Sequence, residues 1–151
     1  MPFEPRNPDF EPRVRASFER QLFMQTLGAE LVLVAPGEVA IELAFRRDLT
    51  QQHGFLHAGT VAGVIDSACG YAALSLMEPG TGVLSIEFKV NLLAPADAPR
   101  FRAVGRVLRP GRTITAVVGE LIALRVDGST PIVAAMQGTM MAVRHREGIS
   151  D

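Results

Sequence analysis

The sequence predicts an α+β fold in which a strongly curved antiparallel sheet wraps around one long central helix, with another helix at the N-terminus. Residues 58–77 carry a single charge, Asp66, so the helix they predict is apolar on nearly every side and has to be buried. The other segments alternate between apolar and polar residues and are separated by turn dipeptides, which is typical of antiparallel strands. A curved sheet covers such a helix, and a partner subunit covers the rest.

The composition is that of a globular protein with one domain. The chain has 151 residues, 48% hydrophobic and 21% charged, which is enough for a core without disulfides or metals. A net charge of −1 argues against nucleic acid as a partner. The single cysteine, Cys69, allows no internal disulfide and fits a reducing compartment, and three histidines with one cysteine give no metal-ligand spacing.

Targeting signals are missing from the pattern. The start of the chain is charged and rich in proline and lacks the apolar segment of a signal peptide. Residues 58–77 lack the aromatic and basic flanks of a membrane span. We therefore expect a cytoplasmic protein that does not enter the membrane.

The first third of the chain predicts an arm, a helix and a hairpin. Four prolines within residues 1–12 indicate an extended arm. An amphipathic helix is predicted over 13–27, ending at Gly28, because apolar residues recur at i, i+4 and i+8: Val14, Phe18 and Leu22. Two strands joined by the turn dipeptide Pro36-Gly37 are predicted at 29–35 and 38–46.

The rest of the chain predicts the central helix and four strands. Glu78-Pro79-Gly80 ends the helix over 58–77. Alternation over 85–92 places Ser85, Glu87, Lys89 and Asn91 on one face of a strand and Ile86, Phe88, Val90 and Leu92 on the other. Further strands are predicted at 100–109, 112–125 and 131–143, which would complete a four-strand meander. This is the arrangement of the hotdog fold, over residues 13–143, with 144–151 as a solvated tail.

Asp66 is the sharpest candidate for chemistry. An ionised carboxylate among apolar residues is costly unless it is paired or hydrogen-bonded. Partial burial raises the pKa of a carboxyl group and makes it a better base. A structural alternative is that Asp66 pairs with an arginine from elsewhere in the chain.

The segment His57-Ala58-Gly59-Thr60 lies where a polar loop becomes the central helix. The first N–H groups of a helix lack internal acceptors and carry the positive end of the helix dipole, so they are suited to a developing oxyanion. The alternative is an ordinary helix start with a local cap. His57 and Asp66 are nine residues apart, roughly 13 Å along a helix at 1.5 Å per residue. If both ends act on one small carbonyl group, they come from different chains of a two-fold dimer.

Residues 51–59, Gln-Gln-His-Gly-Phe-Leu-His-Ala-Gly, followed by Asp66, resemble the signature of the PaaI-like hotdog thioesterases. That signature has Asn or Gln, then Gly, then His-Gly-Gly, then an acidic residue nine positions after the His. Residues 85–95 resemble the strand that follows it in the family, and the resemblance extends over about 20–143. It implies hydrolysis of an acyl-CoA thioester, with an aromatic or medium-chain acyl group, by a homodimer or homotetramer that uses no cofactor or metal.

The resemblance also implies roles for individual residues. Asp66 would attack the thioester carbonyl or activate water against it. The Ala58 N–H would polarise that carbonyl with Gly59 beside it, and His57 would shape the helix start. Gln51 would orient the carboxylate or the water, and Ser85 would position water near the acidic residue of the partner helix. Ala58 stands where the family has glycine.

Substrate binding has its own candidates. Arginines at 100, 102, 106, 109 and 112 cluster around one hairpin, either as a solvated face or as a site for the phosphates of CoA. We expect CoA contacts from Arg109, Arg112, Lys89 and Asn91, and acyl contacts from Phe18 and Leu22 on the N-terminal helix, which in the family often covers the acyl pocket. Cys69 has no basic neighbour in sequence and is interpreted as core.

Two other functions stay open. One is a hotdog dehydratase or hydratase, which needs a histidine and an acid at one carbon, and the separation of His57 from Asp66 argues against it. The other is a non-catalytic acyl-CoA binding or sensing module, which would keep the pocket without needing Asp66.

Overall fold

The computed structural model describes residues 3–151, so Met1 and Pro2 of the expected arm lie outside the described residues. The N-terminal segment forms two helices, α1 Phe10–Arg20 and α2 Leu22–Leu27. The prediction of one helix over 13–27 is therefore wrong. Gln21 adopts an extended conformation (φ −80°, ψ 99°), and its N–H donates to Phe18 O, which closes α1 and turns the chain. Leu22 is 73% exposed because this break removes it from the face of Val14 and Phe18.

The described part of the chain forms six strands in one antiparallel sheet, in the order β1-β2-β4-β5-β6-β3. The predicted four-strand meander holds only for β4 to β6. The connection from β3 to β4 contains Pro95 and Pro99 and no turn dipeptide, so the two strands do not form a hairpin, and β3 instead pairs with β6 at the far edge. The strand bounds are Glu30–Ala35, Glu38–Ala44, Gly82–Leu92, Arg100–Arg109, Ile114–Leu124 and Ile132–Val143.

The central helix α3, Ala58–Leu74, packs across the inner face of this sheet. Gly105 of β4 lies at the crossing point, where an added Cβ would overlap the backbone of Ala68. Gly119 of the neighbouring β5 faces Ile65 and Cys69 in the same way. Two glycines on adjacent strands therefore let the helix backbone approach the sheet closely, and this fixes the position of α3 along the strands.

One stripe of α3 is not covered by the sheet. Gly59 is exposed, and Ala62, Gly63, Asp66 and Gly70 are half-buried, whereas the rest of the helix is buried after Gly59. The six-stranded sheet of one chain does not close around the helix, so this stripe is the part of its surface that we expected a partner subunit to cover. Over residues 3–151, no helix is both long enough and apolar enough to cross a membrane.

The C-terminal segment is not simply a solvated tail. Residues 145–148 are exposed, but Ile149 packs over Gly82, and the Ser17 hydroxyl donates to Asp151 Oδ1 over 2.7 Å. The guanidinium of Arg13 donates to the carbonyl groups of Met77 and Asp151, at 3.1 and 2.9 Å. These contacts connect α1, the end of α3 and the last residues, and they place α1 beside the uncovered stripe of the helix.

Candidate active site

Asp66 lies on the uncovered stripe of α3 and has one side-chain partner. The Ser85 hydroxyl of β3 donates to Asp66 Oδ1 over 2.7 Å, and Ser85 Oγ also lies 3.3 Å from Met140 Sδ. The pair forms within one chain, whereas the resemblance implied that Ser85 lies near the acidic residue of a partner helix. Both residues line a cavity of about 390 Å³ between α3, β3 and α1.

A β-bulge at Ile86 turns Ser85 toward the helix. Ser85 pairs with Met140 and Glu87 pairs with Thr139, so two steps along β3 match one step along β6. Ser85 and Glu87 therefore point to opposite faces of the sheet. The prediction of uninterrupted alternation over 85–92 is wrong at Ile86, where the bulge lies. Bulges are frequent beside active sites, where they redirect a side chain.

Burial raises the pKa of Asp66 above its ordinary value of 3.8, and the hydrogen bond from Ser85 opposes that shift. Asp66 is therefore a stronger base than a solvated aspartate. Cys69 lies one turn after Asp66. Burial, and then the charge of Asp66, raise the pKa of its thiol to about 12, and this makes Cys69 a poor nucleophile. The thiol stays protonated and packs in the core, which agrees with its interpretation from sequence.

The raised pKa makes the charged form of Asp66 unfavourable for folding. The carboxyl group has a lower pKa in the unfolded chain than in the folded one. The contribution of Asp66 to the free energy of unfolding is therefore most favourable below pH 3.8 and is lost as pH rises through the folded pKa. We expect Asp66→Asn, which can still accept from Ser85, to raise Tm at pH 7–8, with a gain that shrinks as pH falls through the folded pKa of Asp66 and is gone below pH 3.8. Thermal unfolding between pH 3.5 and 8 measures this. A lower Tm at pH 7 would mean that the Ser85 bond outweighs burial.

The start of α3 presents the Ala58 N–H as an exposed backbone donor. His57 is the N-cap, and its Nδ1 accepts from the Gly59 N–H over 2.8 Å, so that N–H is already used. No acceptor within residues 3–151 takes the Ala58 N–H. Of the two N–H groups considered from sequence, only that of Ala58 is therefore available to a ligand. It lines a second cavity, of about 400 Å³.

The two cavities are separate within one chain. Ala58 and Asp66 are eight residues apart on α3, about 12 Å at 1.5 Å per residue. The Ala58 cavity is lined by the far end of β3, at Leu92, and the Asp66 cavity by its beginning, at Ser85. Gln51 lines the Ala58 cavity, where its Oε1 accepts from the His53 N–H and its Nε2 is left for other contacts. One subunit thus brings Asp66 together with Ser85, and Ala58 with Gln51, but not the two pairs with each other.

The expected substrate residues divide into two groups. Lys89 and Asn91 are exposed on the outer face of β3, and Arg109 and Arg112 are exposed around the β4–β5 turn without an acidic partner in the described part of the chain. The other three arginines of the hairpin are held by carboxylates on the sheet, which removes them from the candidate phosphate site: Arg100 and Arg102 by Glu42, Arg106 by Glu38 and Glu120.

Phe18 and Leu22 do not line the Asp66 cavity. Phe18 packs edge-on against Tyr71, with ring centroids 5.8 Å apart, and Leu22 points to solvent beyond the helix break. The wall on this side is polar instead and was not found from sequence: Ser17, Arg20, Gln21, Ser67 and Tyr71. These residues come from α1, from the break at Gln21 and from α3, and no glycine or proline in the sequence marks that break.

Comparison with known proteins agrees with this geometry. The family model of the thioesterase superfamily matches residues 53–126, which hold Asp66 and the helix start. A crystal structure of a thioesterase family protein from Silicibacter pomeroyi is 50% identical, with a TM-score of 0.87, covering 89% of this chain and 98% of that one. The chain belongs to the thioesterase superfamily. The predicted family and hotdog fold are thereby confirmed, and so is the class of thioester hydrolase.

Two further similarities concern the fold and part of the sequence. The PaaI protein of the E. coli phenylacetic acid degradation operon shares the fold, with a TM-score of 0.79, 19% identity, and coverage of 94% of this chain and 96% of that one. A protein of Saccharolobus solfataricus named as an esterase is 31% identical over 91 residues, 60% of this chain and 64% of its own length. The thioesterase chain thus spans slightly less than two thirds of that relative.

Proposed function

We propose that this thioesterase hydrolyses an acyl-CoA to the free acid and CoA, with an aromatic or medium-chain acyl group. The observation that carries the proposal is the Asp66–Ser85 pair, 2.7 Å apart, at the mouth of a cavity beside an uncovered helix stripe. A carboxylate with a raised pKa accepts a proton from water more readily than a solvated one. The reaction needs a carboxylate, a backbone donor and water, and no cofactor.

The chemistry proceeds by one of two routes from Asp66. As general base, the carboxylate takes a proton from water, and the water oxygen bonds to the carbonyl carbon. As nucleophile, Asp66 bonds to that carbon first, and water then cleaves the resulting anhydride. In both routes the carbonyl oxygen gains negative charge, the C–S bond breaks, and the thiolate of CoA takes up a proton. The Ala58 N–H is the donor suited to that developing charge.

The second half of the site comes from a partner subunit in this proposal. β3 is an edge strand of 11 residues, and its apolar side chains Ile86, Phe88 and Leu92 are 51%, 43% and 55% exposed. A long apolar edge with unpaired backbone groups is a template for pairing with another chain. We infer that β3 pairs with the β3 of a second copy.

Two-fold symmetry then supplies the missing donor. An antiparallel pair of identical strands about an axis near Phe88 sets the Ser85 end of one strand beside the Leu92 end of the other. Ser85 belongs to the Asp66 cavity and Leu92 to the Ala58 cavity. Each Asp66 thus lies near the partner's Ala58, and Gln51 of the same helix start reaches the carboxylate or its water. Pairing of two dimers into a tetramer stays a prediction, as does the cytoplasmic location.

Four exposed side chains support CoA as the carrier. Arg109 and Arg112 are free to take phosphate oxygens in the forked geometry of a guanidinium. Lys89 and Asn91 lie on the outer face of the interface strand β3, one on each side of Val90. We propose that these residues contact the nucleotide and the phosphates, at the edge of the two-subunit site.

Thiol release from a panel of acyl-CoAs tests the proposal. The panel runs from acetyl to long-chain groups and includes phenylacetyl and hydroxybenzoyl thioesters. We expect wild-type turnover with at least one class, and a higher KM with little change in kcat for Arg109→Ala and Arg112→Ala, because phosphate contacts bind ground and transition states alike. Tight binding of acyl-CoA without turnover would instead favour the binding module.

A further inference from the structure

The β4–β5 turn, residues 110–113, is attached to β6 by one contact that the backbone ladder does not supply. On this side the ladder between β5 and β6 ends where the Ala142 N–H donates to Thr113 O over 2.8 Å. Arg112 lies one residue beyond that bond, and its carbonyl oxygen accepts from the guanidinium group of Arg144, the residue that follows β6. A side chain therefore continues the attachment of the turn past the last backbone hydrogen bond.

The guanidinium group of Arg144 is engaged within the chain. Its side chain is only 23% exposed, and its Nε lies 3.8 Å from Oε2 of Glu78, in the segment between α3 and β3. The other oxygen of that carboxylate lies 3.7 Å from Nη1 of Arg6. Arg144 thus connects the end of the central helix to the β4–β5 turn, and its donors face protein acceptors rather than a ligand.

The two arginines of the turn are placed differently, because both are exposed to solvent: Arg109 and Arg112. A β-bulge at Leu108, where two steps along β4 match one step along β5, turns Arg109 to the outer face of the sheet. The turn itself is tight, since a Cβ added to Gly111 would lie 2.0 Å from Ile114 O. The backbone on both sides of the turn therefore determines where the two guanidinium groups lie.

We propose that Arg144 is a positioning residue: by holding the Arg112 carbonyl group, it fixes the turn so that Arg109 and Arg112 meet the phosphates of CoA as a preformed pair. The inference rests on the proposed hydrolysis of an acyl-CoA and on the phosphate contacts proposed for this turn. It adds the residue that orders them, which does not touch the substrate itself. Side chains on a loose turn have to be ordered when the ligand binds, and a turn that is already fixed avoids that loss of affinity.

The test compares two thioesters of the same acyl group. One is the best acyl-CoA substrate, and the other is the corresponding acyl-pantetheine, which has the same thioester and arm but no phosphate and no nucleotide. The proteins are wild type, Arg144→Met, Arg144→Lys, Arg112→Ala and the double variant of Arg144→Met with Arg112→Ala. Arg146→Met is the matched control, because Arg146 is an exposed arginine two residues further on and its loss removes the same charge.

We expect Arg144→Met to raise KM for acyl-CoA by about 3- to 10-fold with little change in kcat, the effect of ordering one or two flexible side chains on binding. KM for acyl-pantetheine should stay at the wild-type value, and Arg146→Met should match wild type on both substrates. Arg144→Lys should recover part of the lost affinity, since an ammonium group still donates to Arg112 O. Arg144→Met should have a smaller effect in the Arg112→Ala background, because it acts through this turn.

Three results would overturn this inference and leave thioester hydrolysis standing. The first is an equal rise of KM for both thioesters, which would assign Arg144 to the stability of the whole fold. The second is an unchanged KM for acyl-CoA in Arg144→Met. The third is full additivity of Arg144→Met and Arg112→Ala. Absence of hydrolysis of any thioester by wild type would overturn the proposed function, and this inference with it.

Discussion

Asp66→Ala should lower kcat/KM for the best acyl-CoA substrate by about 10²- to 10⁴-fold, the range for loss of a general acid or base. Loss of a nucleophile gives a comparable collapse. The carboxylate lies 2.7 Å from its Ser85 partner on the uncovered stripe of α3, and within residues 3–151 the only other acidic residue lining that cavity is Asp151, which Ser17 and Arg20 already hold. The measurement is steady-state thiol release by both proteins.

Two controls separate chemistry from folding in this experiment. Asp66→Ala should unfold no earlier than wild type at pH 7, since the wild-type carboxylate is buried with a raised pKa. Ser85→Ala should give a smaller loss than Asp66→Ala, because Ser85 orients the carboxylate and does not replace it. Unchanged kcat/KM in a folded Asp66→Ala protein would remove Asp66 from the mechanism and favour the binding module.

Ala58→Pro should lower kcat by about 10²- to 10³-fold, the usual result of removing one oxyanion donor. Proline has no N–H, yet it is favoured at the first position of a helix, where Ala58 stands after the N-cap His57. His57 already has the extended conformation (φ −61°, ψ 142°) that a following proline requires. The substitution therefore removes the donor with little change in the helix, and Tm and steady-state kinetics report the two effects separately.

Ala58→Gly is the matched control for this prediction. It keeps the N–H and restores the glycine of the family signature, so catalysis should persist, with larger acyl groups gaining if the methyl group narrows the channel. Equal kcat for Ala58→Pro and wild type would show that the oxyanion is stabilised by another group.

Mixing the two inactive proteins tests whether the site spans two chains. In a heterodimer of Asp66→Ala and Ala58→Pro subunits, one site contains an intact Asp66 and the partner's intact Ala58, and the other site contains both defects. Random exchange makes half of the dimers heterodimers, so activity should recover to about a quarter of wild type at equal total protein, given a two-fold arrangement. Recovery would not occur if each chain completed its own site.

The sequence was sufficient where local chemistry decides the structure. Strand β4 has the predicted bounds, 100–109, because turn residues lie next to it in sequence. Helix α3 begins at Ala58, as predicted, because the capping residue His57 precedes it directly. Asp66 stands out in the sequence as the one charge of an apolar helix, and it lies on the uncovered stripe of α3 beside Ser85. The rise per residue of an α-helix was also sufficient to predict that Asp66 lies far from the start of α3.

The features that were missed depend on contacts distant in sequence. The break at Gln21 has no glycine or proline, and the side chains beside it contact α3: Gln21 Nε2 lies 3.3 Å from Ser67 Oγ, and Phe23 packs over Gly63. The place of β3 beside β6 depends on which strand covers which part of α3, and a pattern of alternation is equally compatible with either neighbour. The bulge at Ile86 is defined only by its pairing with β6, so the direction of Ser85 was not readable from the chain alone.

The bulge at Ile86 also affects how this protein is able to change over evolutionary time. It divides β3 into a segment ending at Ser85, whose inward residues serve the carboxylate, and a segment from Glu87 onward, whose inward residues serve the proposed subunit contact. Because the extra residue resets the alternation, Ser85 and Phe88 face the same side of the sheet although they are three residues apart. The residues beside the carboxylate and those of the proposed subunit contact therefore belong to different segments of one strand, and the two groups can be substituted separately.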